Sequence, residues 1–261
     1  METTTKVISI INQKGGVGKT TTALNLAYSL TEFDKRVLII DLDSQANLTD
    51  TVGFEDEETK VITSYELLTE KVGFIEAIQE SKLVNLDLIA SKVDLADVEI
   101  EIADIIGRET ILRDSIGKVR DQLEYDYIII DCPPSLSLVT INALSASDSI
   151  IIPAEPSVYS ISGFSKLLDI FNVIQEKIND KLAIEGVLIT RVDARTKIAK
   201  SFEDKLRELF GDKIFETVIH QNVRVAESQE EQLPVYLHDR QARASQEYID
   251  LAKELLSNEL R

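Results

Sequence analysis

Residues 8–24 read ISIINQKGGVGKTTTAL. Lys6 to Asn12 is a short β-branched run that suits a buried strand rather than a helix. It passes into a turn from Gln13 to Lys19, where Gly15, Gly16 and Gly18 free the backbone to take positive φ and to approach a ligand closely. Thr20 to Phe33 then reads as a helix with Leu24, Ala27 and Leu30 on one face, stopped at Asp34. Strand, glycine-rich turn and helix N-terminus in that order make a phosphate cradle, because the turn and the first helical turn present backbone N–H donors while a lysine neutralises the charge. Of the usual pattern G-x-x-x-x-G-K-[ST], Gly18, Lys19 and Thr20 match, and the threonine suits Mg²⁺. Gln13 stands in the first glycine position, and a second lysine, Lys14, precedes Gly15.

The alternation of apolar runs and helical segments continues downstream. Strands are expected at Arg36–Asp41, Leu86–Ala90, Tyr127–Asp131, Ser149–Pro153, Ile184–Thr190 and Ile214–Ile219. Helices are expected at Leu136–Ala146, Ile161–Glu176, Lys197–Phe210 and Gln241–Leu260, with short ones at Ser64–Leu68 and Phe74–Glu80. Val93–Leu123 alternates at helical spacing, with a break near Gly107, and Asp43 to Glu58 reads as a polar, then acidic, loop. Strands alternating with helices imply right-handed crossovers, hence an α/β fold with a doubly wound, mostly parallel twisted sheet and helices on both faces.

The 261 residues suffice for one compact α/β unit, and 1–261 is read as a single domain without internal repeat or linker. No stretch approaches the roughly 20 apolar residues of a membrane span, and the polar start, interrupted by Asn12, Gln13 and Lys14, does not resemble a signal peptide. A soluble, cytoplasmic protein is expected. The only cysteine is Cys132, which excludes an internal disulfide framework or a four-cysteine metal site within one chain. Cys132 reads as a small buried packing residue.

The net charge of −18 argues against nucleic acid until its distribution is considered. Residues 50–109 carry 16 acids and 5 bases, whereas residues 191–261 carry 14 acids and 12 bases, leaving room for a basic face in the last third. The acidic block is either a solvated surface or a docking surface for a basic segment of a partner, with Glu55, Asp56, Glu57 and Glu58 as its densest cluster.

KGGVGKTTT (14–22), VLIIDLDSQAN (37–47) and YDYIIIDCPPS (125–135) together resemble the ParA family of deviant Walker ATPases, which partition plasmids and chromosomes, within the wider ParA and MinD group. The resemblance continues through NALSASD (142–148), GVLITRVDART (186–196), NVRVAES (222–228) and the segment around Tyr248 to Leu255, and so covers almost the whole chain. It implies a P-loop NTPase that binds ATP and Mg²⁺ and hydrolyses ATP. Lys14, Gly15, Gly16, Val17, Gly18, Lys19, Thr20 and Thr21 would line the nucleotide. Lys19 would contact the β and γ phosphates, Thr20 would ligate Mg²⁺, and Asp131 would reach the metal through water. Lys14 would cross to the nucleotide of a second subunit in an ATP-sandwich homodimer, adding a cation where negative charge develops. Asp43 would orient the attacking water, so that Lys14, Lys19 and Asp43 form the catalytic set. Asp41 would support the loop and the Mg²⁺ hydration shell. The alternative reading of the residues alone makes Lys14 a solvent-exposed loop charge, and Asp41 and Asp43 a pair of loop acids capping nearby amides.

The family holds double-stranded DNA nonspecifically and is stimulated by a ParB-type centromere-binding protein, so association with the nucleoid is implied. Arg195 and Arg224 match the family's DNA-contacting arginines, and Lys197, Lys200, Arg240 and Arg243 are further candidates. Each is equally readable as a solvated surface charge. His220 and Gln221 depart from the proline and arginine usual before the asparagine of NVR, which leaves the adenine contacts open. His220 either stacks on the base or is an ordinary surface histidine.

The phosphate loop falls within the first 20 residues, so a short form without an N-terminal helix-turn-helix is expected. A MinD-like protein acting on a membrane is the rival within the fold. The ending DLAKELLSNELR, richer in acids than bases and without an aromatic anchor, does not match the basic amphipathic helix a membrane requires. A positioner of some different cargo and a metabolic ligase or kinase stay open as well. For the ligase or kinase no second substrate constellation is visible.

Overall fold

The computed structural model describes residues 5–54, 61–156, 160–193 and 197–259, with backbone alone at 160–163 and 197–199. The strands are β1 (Lys6–Ile10), β2 (Val37–Asp41), β3 (Gln79–Glu80), β4 (Leu86–Ile89), β5 (Tyr127–Asp131), β6 (Ser149–Ala154), β7 (Ala183–Val192) and β8 (Ile214–His220). They form one sheet in the order β3-β4-β2-β5-β1-β6-β7-β8. Every pairing is parallel except that of the two-residue edge strand β3 with β4. The doubly wound, mostly parallel reading therefore holds.

Because successive strand residues face opposite sides, β1, β2 and β5 feed two cores. Val7, Leu38, Ile40, Ile128 and Ile130 belong to one, and Ile8, Ile10, Ile39 and Ile129 to the other. Helix α1 (Lys19–Thr31) and the last long helix, Arg243–Asn258, cover the second face through Ala23, Leu26, Tyr248 and Leu251. The helices Leu138–Ala146, Ser160–Lys177 and Lys197–Phe210 cover the first through Ala143, Phe171 and Phe202. At the far edge, the exposed side of β8 is closed by carboxylates: Glu254 accepts from the amides of Glu216 and Thr217 at 2.7 and 2.9 Å, and Glu247 from His220 at 2.8 Å.

The sequence reading misses in three places. Phe74–Glu80 is a single helical turn, Phe74–Ala77, followed by β3, because Gln79 and Glu80 add a ladder to β4. Val93–Leu123 is broken into short pieces at Val93–Asp97, Val98–Glu101, Ile111–Gly117 and Arg120–Gln122 rather than two helices. Asn47–Val52, read as part of a loop, is a helix, and Val223–Glu230, to which the sequence reading assigns no element, is another. Asn222 caps the second by accepting from the Arg224 amide at 2.9 Å. The acidic cluster Glu55 to Glu58 lies outside the described residues.

Candidate functional site

The three strands with acidic or glycine-bearing ends are neighbours, so their C-terminal ends meet. Ile10 of β1 and Asp41 of β2 are both in register with Asp131 of β5. In an open α/β sheet this carboxyl edge is where ligands bind.

The loop after β1 rises over that edge. Gly16 and Gly18 take φ of 75° and 88°, which residues with a Cβ rarely adopt, whereas Gly15 does not use the left-handed region. The loop is anchored through Thr190, whose hydroxyl donates to the Val17 carbonyl at 2.8 Å, and through Asn12, which donates to the Pro153 carbonyl at 2.7 Å. Gly18 precedes α1, no side chain caps this helix, and its first turn holds no acid. Its first N–H groups and dipole are thus available to an anion.

Lys19 is 7% exposed, and its ammonium points back to the Lys14 carbonyl at 3.4 Å. Burial pulls it below its ordinary value, against the attraction of Asp131 and Asp43. Asp131 is itself buried, and neither carboxylate oxygen has a hydrogen-bond partner. Burial, reinforced by Asp41 alongside, pushes Asp131 well above the ordinary carboxylate value. The Thr20 hydroxyl draws it back without completing a hydrogen bond. An orphaned buried carboxylate beside a threonine and an uncapped helix N-terminus fits a hydrated divalent cation carried by phosphates. Among the described residues no three His, Cys, Asp or Glu side chains could hold a metal by themselves, so phosphate and water would complete the shell.

Asp41 is placed differently. Its Oδ1 accepts from the Asp43 amide at 3.0 Å, and its Oδ2 from the amide and hydroxyl of Thr49 at 2.9 and 2.8 Å. It ties the loop after β2 to the helix Asn47–Val52, which is the loop-supporting half of its expected role. Burial, partly offset by these donors, raises it to about 6. The strand ends at Asp41, so Asp43 does not continue its pleat. Asp43 instead lies on the wall of the cleft, accepting from the Gln45 amide at 3.0 Å. Burial pushes the Cys132 thiol up to about 12, which leaves it protonated and inert, as a packing residue should be.

The cleft above the loop encloses about 630 Å³. Gly15, Gly16, Gly18, Lys19, Thr20 and Thr21 form one side of it. The end of β8 and the helix Val223–Glu230 form another, and Gln229 joins the two by donating to the Thr21 hydroxyl at 3.1 Å. Lys14 is not among the residues lining the cleft; its ammonium lies 3.2 Å from Glu155 just past β6. Arg191, which the sequence reading did not single out, shares this carboxylate at 3.5 Å and donates to the Gly16 carbonyl at 3.0 Å. Its backbone is held at φ 54°, a strained value for a residue with a Cβ. Glu155, Arg191, Thr49 and Gln229 come from remote parts of the chain, and no local pattern marks them.

Arg224 lies in the first turn of the helix Val223–Glu230, Arg240 follows the short helix Val235–His238, and Arg243 opens the last helix. Arg224 pairs with Glu227 at 2.7 Å and Asp239 at 3.5 Å, Arg243 pairs with Glu247 at 2.7 Å, and the Arg240 guanidinium lies 5.3 Å from the Tyr236 ring. Lys200 is exposed on Lys197–Phe210. Lys197 begins that helix, its side chain lying outside the described residues, as does Arg195 altogether.

Residues 5–184 match the family model of an AAA domain. Over 253 residues the chain is 43% identical to the sporulation initiation inhibitor protein Soj of Bacillus subtilis (strain 168), covering 97% of this chain and 99% of Soj. It is 37% identical over 254 residues to the chromosome partitioning protein ParA of Caulobacter vibrioides, covering 97% and 95%. Among solved structures it resembles a Mycobacterium smegmatis cobyrinic acid a,c-diamide synthase with bound ADP and magnesium, at a TM-score of 0.83, 28% identity and coverage of 97% and 95%. It also resembles a Borrelia burgdorferi B31 protein described as a plasmid partition protein and bound to AMPPNP, at a TM-score of 0.78, 29% identity and coverage of 97% and 99%. One fold thus carries a synthase and a partition protein, and cannot choose between them. The choice is made by sequence identity that runs the length of the chain through an uncapped glycine loop and its paired strand-end acids: the chain belongs to the AAA-domain family and, within it, to the ParA/MinD-type P-loop ATPases.

Proposed function

We propose that this chain binds ATP with Mg²⁺, dimerises around it, holds double-stranded DNA nonspecifically and hydrolyses the nucleotide when a ParB-type centromere-binding protein engages it, so partitioning a plasmid or chromosome. The observation that carries the nucleotide part is the unspent set at the loop: an uncapped α1 with no acid in its first turn, beside the two unpartnered oxygens of Asp131. The partition part rests on the likeness to ParA and Soj.

In this reading the amides of Gly15 to Thr21 and the Lys19 ammonium take the phosphates. Thr20 and Asp131 would hold Mg²⁺, which would supply neutralisation of charge on the phosphate oxygens. Asp43, on the cleft wall, orients water, and Asp41 keeps the loop bearing it in place. Lys14 completes the neighbouring subunit's site, which ties assembly to chemistry. Arg224, Arg240, Arg243, Lys200, Lys197 and Arg195 supply the DNA face. The protein acts as one domain in the cytoplasm, at the nucleoid.

The test is co-sedimentation with DNA and with liposomes, each with ATP, ADP or no nucleotide, beside steady-state hydrolysis. DNA pelleting that requires ATP and weakens steeply with salt supports the reading. ATP-dependent pelleting with liposomes alone would replace it with membrane positioning. Turnover that ignores DNA and any partner protein but rises with a metabolite would replace it with a metabolic enzyme.

A further inference from the structure

The cleft holds two aromatic side chains among the described residues, His220 and Tyr248. With phosphates on the loop, the wall open to a nucleoside includes the end of β8 and the helix after it, where Ile219, Val225 and Ala226 give apolar surface and Gln221 a polar group. Tyr248 is 2% exposed and belongs to the buried cluster that includes Ala23 and Leu26 of α1, so its ring is already packed. His220 closes β8, and its side chain keeps 18% of its surface exposed.

Two residues of the last helix hold the imidazole. Glu247 accepts from the His220 amide at 2.8 Å and lies 2.7 Å from Nδ1, while also accepting from Arg243 Nε at 2.7 Å. Facing a carboxylate, which can only accept, Nδ1 donates its N–H to Glu247. An Arg243 Nη2 sits 2.7 Å from Nδ1 and 2.8 Å from Nε2, nearly equidistant from both ring nitrogens, so the guanidinium covers the ring. Neither Glu247 nor Arg243 lines the cleft. A ring gripped at its backbone, one nitrogen and one face is preorganised, and little rotamer freedom remains to be lost when a flat ligand stacks on it.

We propose that His220 is the residue that grips the nucleotide base by stacking, and that Glu247 and Arg243 are its positioning residues. The proposal rests on the nucleotide reading above and deepens it.

The experiment compares the affinities of ATP and inorganic tripolyphosphate, which has phosphates but no base, in the full chain and its variants. His220→Ala should weaken ATP about tenfold, the scale of one base–aromatic stack, and leave tripolyphosphate unchanged. His220→Phe should restore most of the ATP affinity, since a phenyl ring stacks without the hydrogen bonds. Glu247→Gln should weaken ATP by a smaller factor, again without touching tripolyphosphate. Unchanged ATP affinity in His220→Ala, or an equal loss for both ligands, would overturn the proposal. Failure of the unmodified protein to bind either ligand would overturn the nucleotide reading itself, and the proposal with it.

Discussion

The Lys14 ammonium lies 3.2 Å from Oε2 of Glu155, so the second lysine of the loop is folded back onto its own chain just past β6. Both side chains are partly exposed, at 42% and 28%, and such a pair is weak enough to exchange for a stronger anion. Lys14→Gln should therefore leave nucleotide binding by the monomer largely intact while abolishing the ATP-dependent dimer. Stimulated turnover should fall by about 10³–10⁵, as when one preorganised cation is removed from a phosphoryl transition state. Light scattering with ATP checks the first expectation, and unchanged dimerisation would refute the role given to Lys14.

Asp131 and Asp41 share one end of the sheet, and both are held above the ordinary carboxylate value by burial. A carboxyl group whose folded pKa is raised contributes stability that is fully present below its unfolded pKa, near 4, and is lost as pH rises through the folded value. For Asp41 that value is about 6. Asp131→Asn removes the charge without changing shape, so the nucleotide-free variant should be more stable at neutral pH by about 1–3 kcal/mol, or several degrees in Tm. The gap between variant and wild type should open as pH rises from about 4 and be near zero below it. The same variant should lose the extra Tm that Mg²⁺ with ATP confers on the wild type. Equal Tm values at neutral pH would show that the buried charge is not penalised.

Arg224 is engaged by Glu227 and Asp239, so a phosphate must compete with acids already in place. Glu227→Gln should tighten ATP-dependent DNA binding by about two- to fivefold, and Arg224→Ala should weaken it and lower the salt slope by about one. Fluorescence anisotropy over a salt series measures both. A slope that Arg224→Ala leaves untouched would remove Arg224 from the DNA face.

Gly186 in β7 has no room for a side chain: a Cβ there would meet Cε2 of Phe215 on β8 at 2.5 Å. Gly186→Ala should destabilise by about 1–3 kcal/mol through overpacking. Adding Phe215→Leu should recover part of that loss in a denaturant titration, and additive losses would show that the two positions do not touch.

How much of the protein is legible in its sequence depends on how local the physics is. The loop needs consecutive residues: a β-branched strand, glycines at 16 and 18 for positive φ, and a helix whose first turn leaves its amides free. Each requirement is met within a dozen residues, so the strand–loop–helix unit and its chemistry can be read directly. The same holds for β5, Tyr127–Asp131, an apolar run ending in an acid, where expected and observed bounds coincide. Where neither period nor length was strong, as at Gln79–Glu80 and Val93–Leu123, pairing with β4 and short turns prevailed over the helical pattern.

The sequence by itself determined the phosphate loop, the alternation of strands and helices, and the family to which the motifs point, because these depend on neighbours along the chain. Only the tertiary structure decided what each acid and base faces. Asp41 and Asp131 end adjacent strands in the same register, yet one spends its oxygens on Thr49 and Asp43 while the other keeps both unpartnered. Lys14 meets Glu155, Gln229 meets Thr21, and Glu247 meets His220 across separations of 141, 208 and 27 residues. The order of strands in the sheet brings those partners together, and spacing along the chain carries no trace of it.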